Sequence, residues 1–268
     1  MGLILIIVLI IQLFTQKEQA LLRVNESLRW PTPWDGWATA EVLVFGFFVI
    51  SQFVVPFITA IGFNLVGVNL ATNEIRTQAF SILVNYSLMA IGGLAFIYYY
   101  LKPYGQLPEE WFPFKLNFKG LAWGVAGYLV ALPIVVVVSL LNQQLWSGQG
   151  GSNVLLFLAL QAQDWVVLGI FFFTASIAAP IFEEIVFRGF LLSALTKHLP
   201  VTGAIGVSSL IFSIAHLSLS EILPLTALGA VLGLVYTRSR NLLASMVLHS
   251  IWNGGTLISL FVLGSGNT

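Results

Sequence analysis

Seven apolar segments, most about 20 residues long, recur along this chain, and together with an apolar N-terminus they restrict what it can fold into. In hydrocarbon a backbone N–H or C=O has no water to bond, so a spanning segment must satisfy its own polar groups. The segments lie near residues 42–64, 79–101, 119–141, 165–195, 201–216, 222–236 and 242–264. The N-terminal run GLILIIVLIIQLF, at about 20 Å if helical, is short for a span; it lacks a basic leading region and a small-residue cleavage site before Lys17, so it reads as a retained helix. The fold class is therefore an all-α polytopic membrane protein with about eight transmembrane helices. Only 8% of the 268 residues are charged, against about 25% in an ordinary soluble domain. Formal net charge is zero, which offers no basic patch for nucleic acid. The chain has no cysteine, so disulfides, thiolate ligands and cysteine nucleophiles drop out together.

The basic residues order these segments across the bilayer, because cytoplasmic loops collect Lys and Arg. Lys17, Arg23 and Arg29 follow the first segment; Lys102, Lys115 and Lys119 follow the third; Lys197 follows the fifth; Arg238 and Arg240 follow the seventh. Only Arg76 falls on the other side, and Arg188 lies inside a segment. This pattern predicts an integral, multi-pass protein with both termini on the non-cytoplasmic face. Trp30, Trp34, Trp37, Trp111, Trp146, Trp165 and Tyr98 to Tyr100 stand at segment ends, where amphipathic rings anchor at headgroup level. The Gly-rich stretch from Ser147 to Asn153 separates an N-terminal transmembrane region, 1–150, of about four helices from a C-terminal core, 165–264, of four. Pro180, within 165–195, is expected to kink or restart its helix.

Between Asp164 and Lys197 the only charges are Glu183, Glu184 and Arg188. Ionised groups at such positions are costly, so they face a protein-lined or wet interior and mark a site. Residues four apart share a helix face, so Glu184 can pair with Arg188, while Glu183 points about 100° away and is left for chemistry. Two further polar pairs are stranded downstream, Phe212 with His216 and His249 with Asn253, each again four apart. Phe212 reads as packing, and His198, beside Lys197, as surface. A carboxylate and an imidazole can deprotonate water, and a second imidazole with a carboxamide can donate to a developing oxyanion, which suits hydrolysis of an acyl bond. Alternatively Glu183, His216 and His249 form a three-ligand set for a divalent metal such as zinc, with an open fourth position. At 1.5 Å per residue from the basic loops, Glu183 would lie about 21 Å deep, His216 about 28 Å and His249 about 13 Å, a spread that tilt or a dipping loop must close.

Other intramembrane chemistries lack their residues. No H-E-x-x-H occurs, and the only aspartates, Asp35 and Asp164, lie outside the apolar segments. Ser208 or Ser209 could pair with His249, but no G-x-S-G surrounds them and the glutamates would be idle. A transporter using the carboxylates as a relay would be expected to carry a repeated pair of broken helices, and none is evident.

At these residues the chain resembles the CPBP, or Abi, family of intramembrane proteases, which includes CAAX prenyl endopeptidases and bacteriocin-processing or immunity proteins. EEIVFR at 183–188, FSIAH at 212–216 and HSIWN at 249–253 correspond to the family's E-E-x-x-x-R, F-x-x-x-H and H-x-x-x-N motifs, in order. The resemblance covers residues 165–264. It implies a CPBP-type endopeptidase, by a glutamate or a metal mechanism, that hydrolyses a peptide bond of a peptide or membrane-protein substrate near the bilayer surface. Glu183 and His216 would activate water, His249 and Asn253 would hold the oxyanion, and Glu184, Arg188 and Phe212 would support them. The alternative is a non-proteolytic immunity, assembly or scaffold protein of the same family.

Overall fold

The computed structural model describes residues 1–68, 74–146 and 164–265, so the Ser147–Asn153 boundary lies outside the described residues. Each of the eight apolar segments is helical there: α1 (Gly2–Thr15), α2 (Gly36–Leu65), α3 (Ile75–Leu101), α4 (Phe118–Trp146), α5 (Trp165–Leu195), α6 (Val201–Ile214), α7 (Ile222–Ser239) and α8 (Leu242–Ser265). The fold is all-α and multi-pass. Helices α2, α3, α4, α5 and α7 are long and apolar enough to cross a membrane. Helices α1 and α6 have 14 residues each, about 21 Å of rise, and fall short of a hydrocarbon core of about 30 Å. The expected eight spans are thus eight apolar helices, two of them below spanning length.

The chain forms two compact units. One comprises residues 1–32, 108–151 and 183–251; the other comprises 33–107, 152–182 and 252–268. Helices α5 and α8 contribute residues to both.

In the first unit, close helix approach rests on glycines. A Cβ at Gly124 of α4 would stand 2.7 Å from Val247 and 2.8 Å from the Ala244 carbonyl of α8. On α7, a Cβ at Gly229 would meet Ser209 at 3.0 Å, and one at Gly233 would meet Ile205 and Leu192 at 3.1 Å. Gly120 with Gly124, and Gly229 with Gly233, have the G-x-x-x-G spacing that lets membrane helices touch backbone to backbone. This spacing is plain in the sequence and was not among the expectations above.

Residues 16–32, after α1, are strapped onto the rest of the same unit. The Trp30 ring stacks on Tyr236 with centroids 5.2 Å apart, and the Arg240 guanidinium carbon lies 3.5 Å from the centroid of the indole ring. The Trp30 amide donates to Thr196 Oγ1 at 3.0 Å, and its indole N–H to the Glu110 carbonyl at 3.0 Å. Trp30, Trp34 and Trp111 are only 2%, 1% and 5% exposed, so these three are packing residues and not headgroup anchors. Each lies beside a segment end, where sequence position alone cannot separate a buried ring from an interfacial one. Trp37 and Trp165 remain exposed.

In the second unit, Ala79 of α3 is buried against Val167 and Phe171 of α5. Asp164 caps α5 by accepting from the Val166 amide at 2.8 Å and pairs with Arg76. The hydrogen bond from Arg76, aided by the backbone amides, holds the Asp164 carboxyl below the usual carboxylate range. Helix α5 shows no break at Pro180. A π-helical stretch, Thr174–Ala178, precedes it, and the wider turn accommodates a residue that has no N–H and whose ring crowds the preceding turn. The expected restart is therefore replaced by a continuous helix with local widening.

Gly124→Leu should lower stability by about 1–3 kcal/mol through overpacking against α8. Gly206→Ala, where a Cβ meets nothing within 4 Å, should be neutral or stabilising; thermal unfolding in detergent compares the two.

Candidate active site

Glu183 and Glu184 sit where α5 passes from α-helix into a second π-helical stretch, Ile185–Leu192. Glu184 is fully buried, and its Oε1 accepts from Arg188 Nη1 at 2.8 Å. The same oxygen accepts from His249 Nδ1 at 2.8 Å, across from α8. Arg188, also fully buried, donates through Nη2 to the Gly229 carbonyl of α7 at 3.2 Å. One carboxylate thus joins α5 to α8 directly and to α7 through its arginine. Charge-assisted bonds of this kind fix geometry as well as neutralise charge.

The bond to Glu184 also orients the His249 ring. With Nδ1 donating, the neutral ring presents its Nε2 lone pair on the opposite edge. That Nε2 lies 3.8 Å from Glu183 Oε2, and the Glu183 side chain is 16% exposed where that of Glu184 is 0%. The adjacent glutamates therefore differ in setting: one is locked between a guanidinium and an imidazole, the other is partly accessible and faces the second edge of the same imidazole.

Phe212 of α6 is the common surface of the cluster. Its ring meets Phe187 edge-on at 5.3 Å, His216 at 4.8 Å and His249 at 5.8 Å between centroids. The Arg188 guanidinium carbon stands 4.5 Å from the same ring. His216, in the turn after α6, bonds through Nδ1 to the Phe212 carbonyl at 2.8 Å. The two histidines therefore share one aromatic contact, despite the depths counted from the loops. That count assumed a uniform α-helical rise, whereas a π-helical stretch winds more residues into each turn, and His216 stands beyond the end of α6. Asn253, one turn past His249 on α8, belongs to the second unit, where its Nδ2 donates to the Ala175 carbonyl at 2.8 Å. His198 is exposed, as expected.

Ser208 and Ser209 are buried, with hydroxyls donated to the Phe187 and Ile205 carbonyls. Among the described residues no three His, Asp or Glu side chains gather as a metal-holding group. The donor set of Glu183, His216 and His249 is not assembled in that way, and the chemistry below is routed through no metal.

Two polar residues near the cluster were missed in the sequence. Glu221 opens α7 close enough to His216 for their charges to interact. Asn142, 7% exposed near the end of α4, donates to the Ser220 carbonyl in the turn that carries both. A polar side chain ending an apolar run was the available signal for each.

Residues 164–255 match the family model described as type II CAAX prenyl endopeptidase Rce1-like, a stretch that contains all three motifs. Over this stretch the C-terminal part of the chain is similar to that family. Among curated proteins, the chain is similar to the membrane-embedded CAAX protease MroQ of Staphylococcus aureus, 31% identical over 52% of this chain and 57% of MroQ. The putative membrane peptidase YdiL of Bacillus subtilis is 27% identical over 50% of this chain and 53% of that protein. The UPF0177 protein YxdF of Lactococcus lactis is 27% identical over 54% of this chain and 80% of that protein. The chain spans just over half the length of the first two. No solved structure matches it.

Arg188→Met should destabilise the protein by about 3–5 kcal/mol, because it leaves Glu184 buried without its cation. Glu184→Gln combined with Arg188→Met should recover part of that loss, as read by thermal denaturation of the two variants beside the parent.

Proposed function

We propose that this protein is an intramembrane endopeptidase that hydrolyses a peptide bond near the membrane surface with a water activated by Glu183. The observation that carries this reading is the 3.8 Å separation of Glu183 Oε2 from His249 Nε2, with His249 held in register by Glu184. Two acceptors at that spacing exceed a direct hydrogen bond and suit a water bonded to both. Glu183 takes a proton as the water oxygen attacks the scissile carbonyl, and returns it to the amide nitrogen as the C–N bond breaks. His249 Nε2 accepts the water's other hydrogen and so orients its oxygen toward the carbonyl; the proton carried by Glu183 is the one transferred to the leaving nitrogen. His216 completes the expected set within this unit, as a second imidazole that helps to activate the water.

The core of this activity is residues 165–264, and residues 1–150 form an N-terminal transmembrane region. The substrate is a peptide or membrane protein reached from the bilayer, and the basic loops define the cytoplasmic face, with both termini opposite. The CAAX protease and membrane peptidase named above support the class of reaction.

In proteoliposomes supplied with membrane-associated peptides, Glu183→Gln should lower cleavage by at least ~10²-fold, the contribution typical of a general base, while its melting temperature stays at that of the parent. Cleavage retained in a folded Glu183→Gln protein would end this mechanism, and full rescue of a cellular phenotype by that variant would favour the non-proteolytic reading. Loss of cleavage on chelation, restored by zinc, would assign the chemistry to a metal.

A further inference from the structure

We infer that the first unit holds a membrane lipid with an anionic headgroup, its acyl chain lying in a cavity between α1, α4 and α7. The cavity measures about 280 Å³ and uses none of the residues around Glu184. Leu5 and Leu9 of α1 form one wall; Trp123 and Ala126 of α4 and Val235 of α7 form the others. Thirteen side chains line it, and twelve of these are apolar or glycine. The exception is Lys119.

The position of Lys119 gives the occupant its charge. It stands in the first turn of α4, the positive end of the helix dipole, where a cation is disfavoured and an anion is welcome. Among the described residues its ammonium has no carboxylate partner. The α4 cap is already supplied by Asn117, whose Oδ1 accepts from the Gly120 amide at 2.7 Å. Lys119 therefore serves neither the helix end nor an ion pair within the protein. An apolar trough closed by a lysine matches a phosphodiester headgroup followed by a hydrocarbon tail.

The trough also explains how α1 is held. None of its 14 residues is buried, and most of its large apolar side chains are exposed. Its first turn meets α4 directly at Leu129 and Pro133, and a tail along Leu5 and Leu9 would extend that contact.

The test uses the full-length protein in nanodiscs of phosphatidylcholine with a minor fraction of phosphatidylglycerol, analysed by native mass spectrometry. The parent should retain phosphatidylglycerol in preference to phosphatidylcholine. Lys119→Gln should cut that preference about fivefold, the effect of removing one basic residue near an anionic surface, while retaining some lipid. Ala126→Phe, which fills the trough, should release both lipids. Val125→Phe adds the same bulk at a neighbouring exposed position outside the cavity and should behave like the parent. Equal retention by the parent and Ala126→Phe would overturn the site, and a preference that ignores headgroup charge or follows an added neutral isoprenoid would overturn the anionic assignment. Melting temperatures of all four proteins, taken in parallel, separate lipid loss from misfolding.

Discussion

The site rests on a single buried carboxylate. Glu184 accepts from Arg188 and His249 with one oxygen, and through those partners α5, α7 and α8 are held in one arrangement. Removing three ionisable groups from water costs several kcal/mol for each ion, and their mutual attraction offsets this only where geometry is close to ideal. Such a cluster is a poor source of net stability. Its value is positional: it fixes the tautomer of His249 and presents Nε2 toward Glu183.

Much of this was legible from one-dimensional signals. The Glu184–Arg188 pair follows from their spacing of four, and both are buried together as that spacing implied. The eight helices follow from apolar length. What the spacing could not convey is that Glu184 also holds His249, because a contact between residues 65 apart leaves no local periodicity. For the same reason Phe212 read as ordinary packing, although its ring meets Arg188, Phe187 and both histidines.

The errors have a common physical origin. Span counting treats each apolar run as a straight α-helix across the bilayer, yet α1 and α6 stop at 14 residues and α5 contains two π-helical stretches. Pro180 was expected to kink or restart its helix, and α5 continues through it with a π-helical stretch just before. Tryptophan near a segment end was read as an anchor, and Trp30 instead packs against both Arg240 and Tyr236. For the tryptophan a tertiary contact overrode a rule that holds for an isolated helix in lipid.

Widening at Ile185–Leu192 also bears on how two neighbouring glutamates acquire different environments. On a regular helix, consecutive side chains diverge by about 100°, enough to separate a buried face from an accessible one. Here the divergence falls at the boundary between an α-helical and a π-helical stretch, where residues after Glu184 are turned further inward and the run from Val186 to Leu192 is buried throughout. Arg188 then sits inside that run, paired to Glu184, while Glu183, one residue before Glu184, keeps access to the outside. Seven consecutive buried residues cover the whole circumference of a helix, so this stretch needs neighbours on every side. The packing of α6 and α7 against this stretch, made close by Gly229 and Gly233, supplies those neighbours.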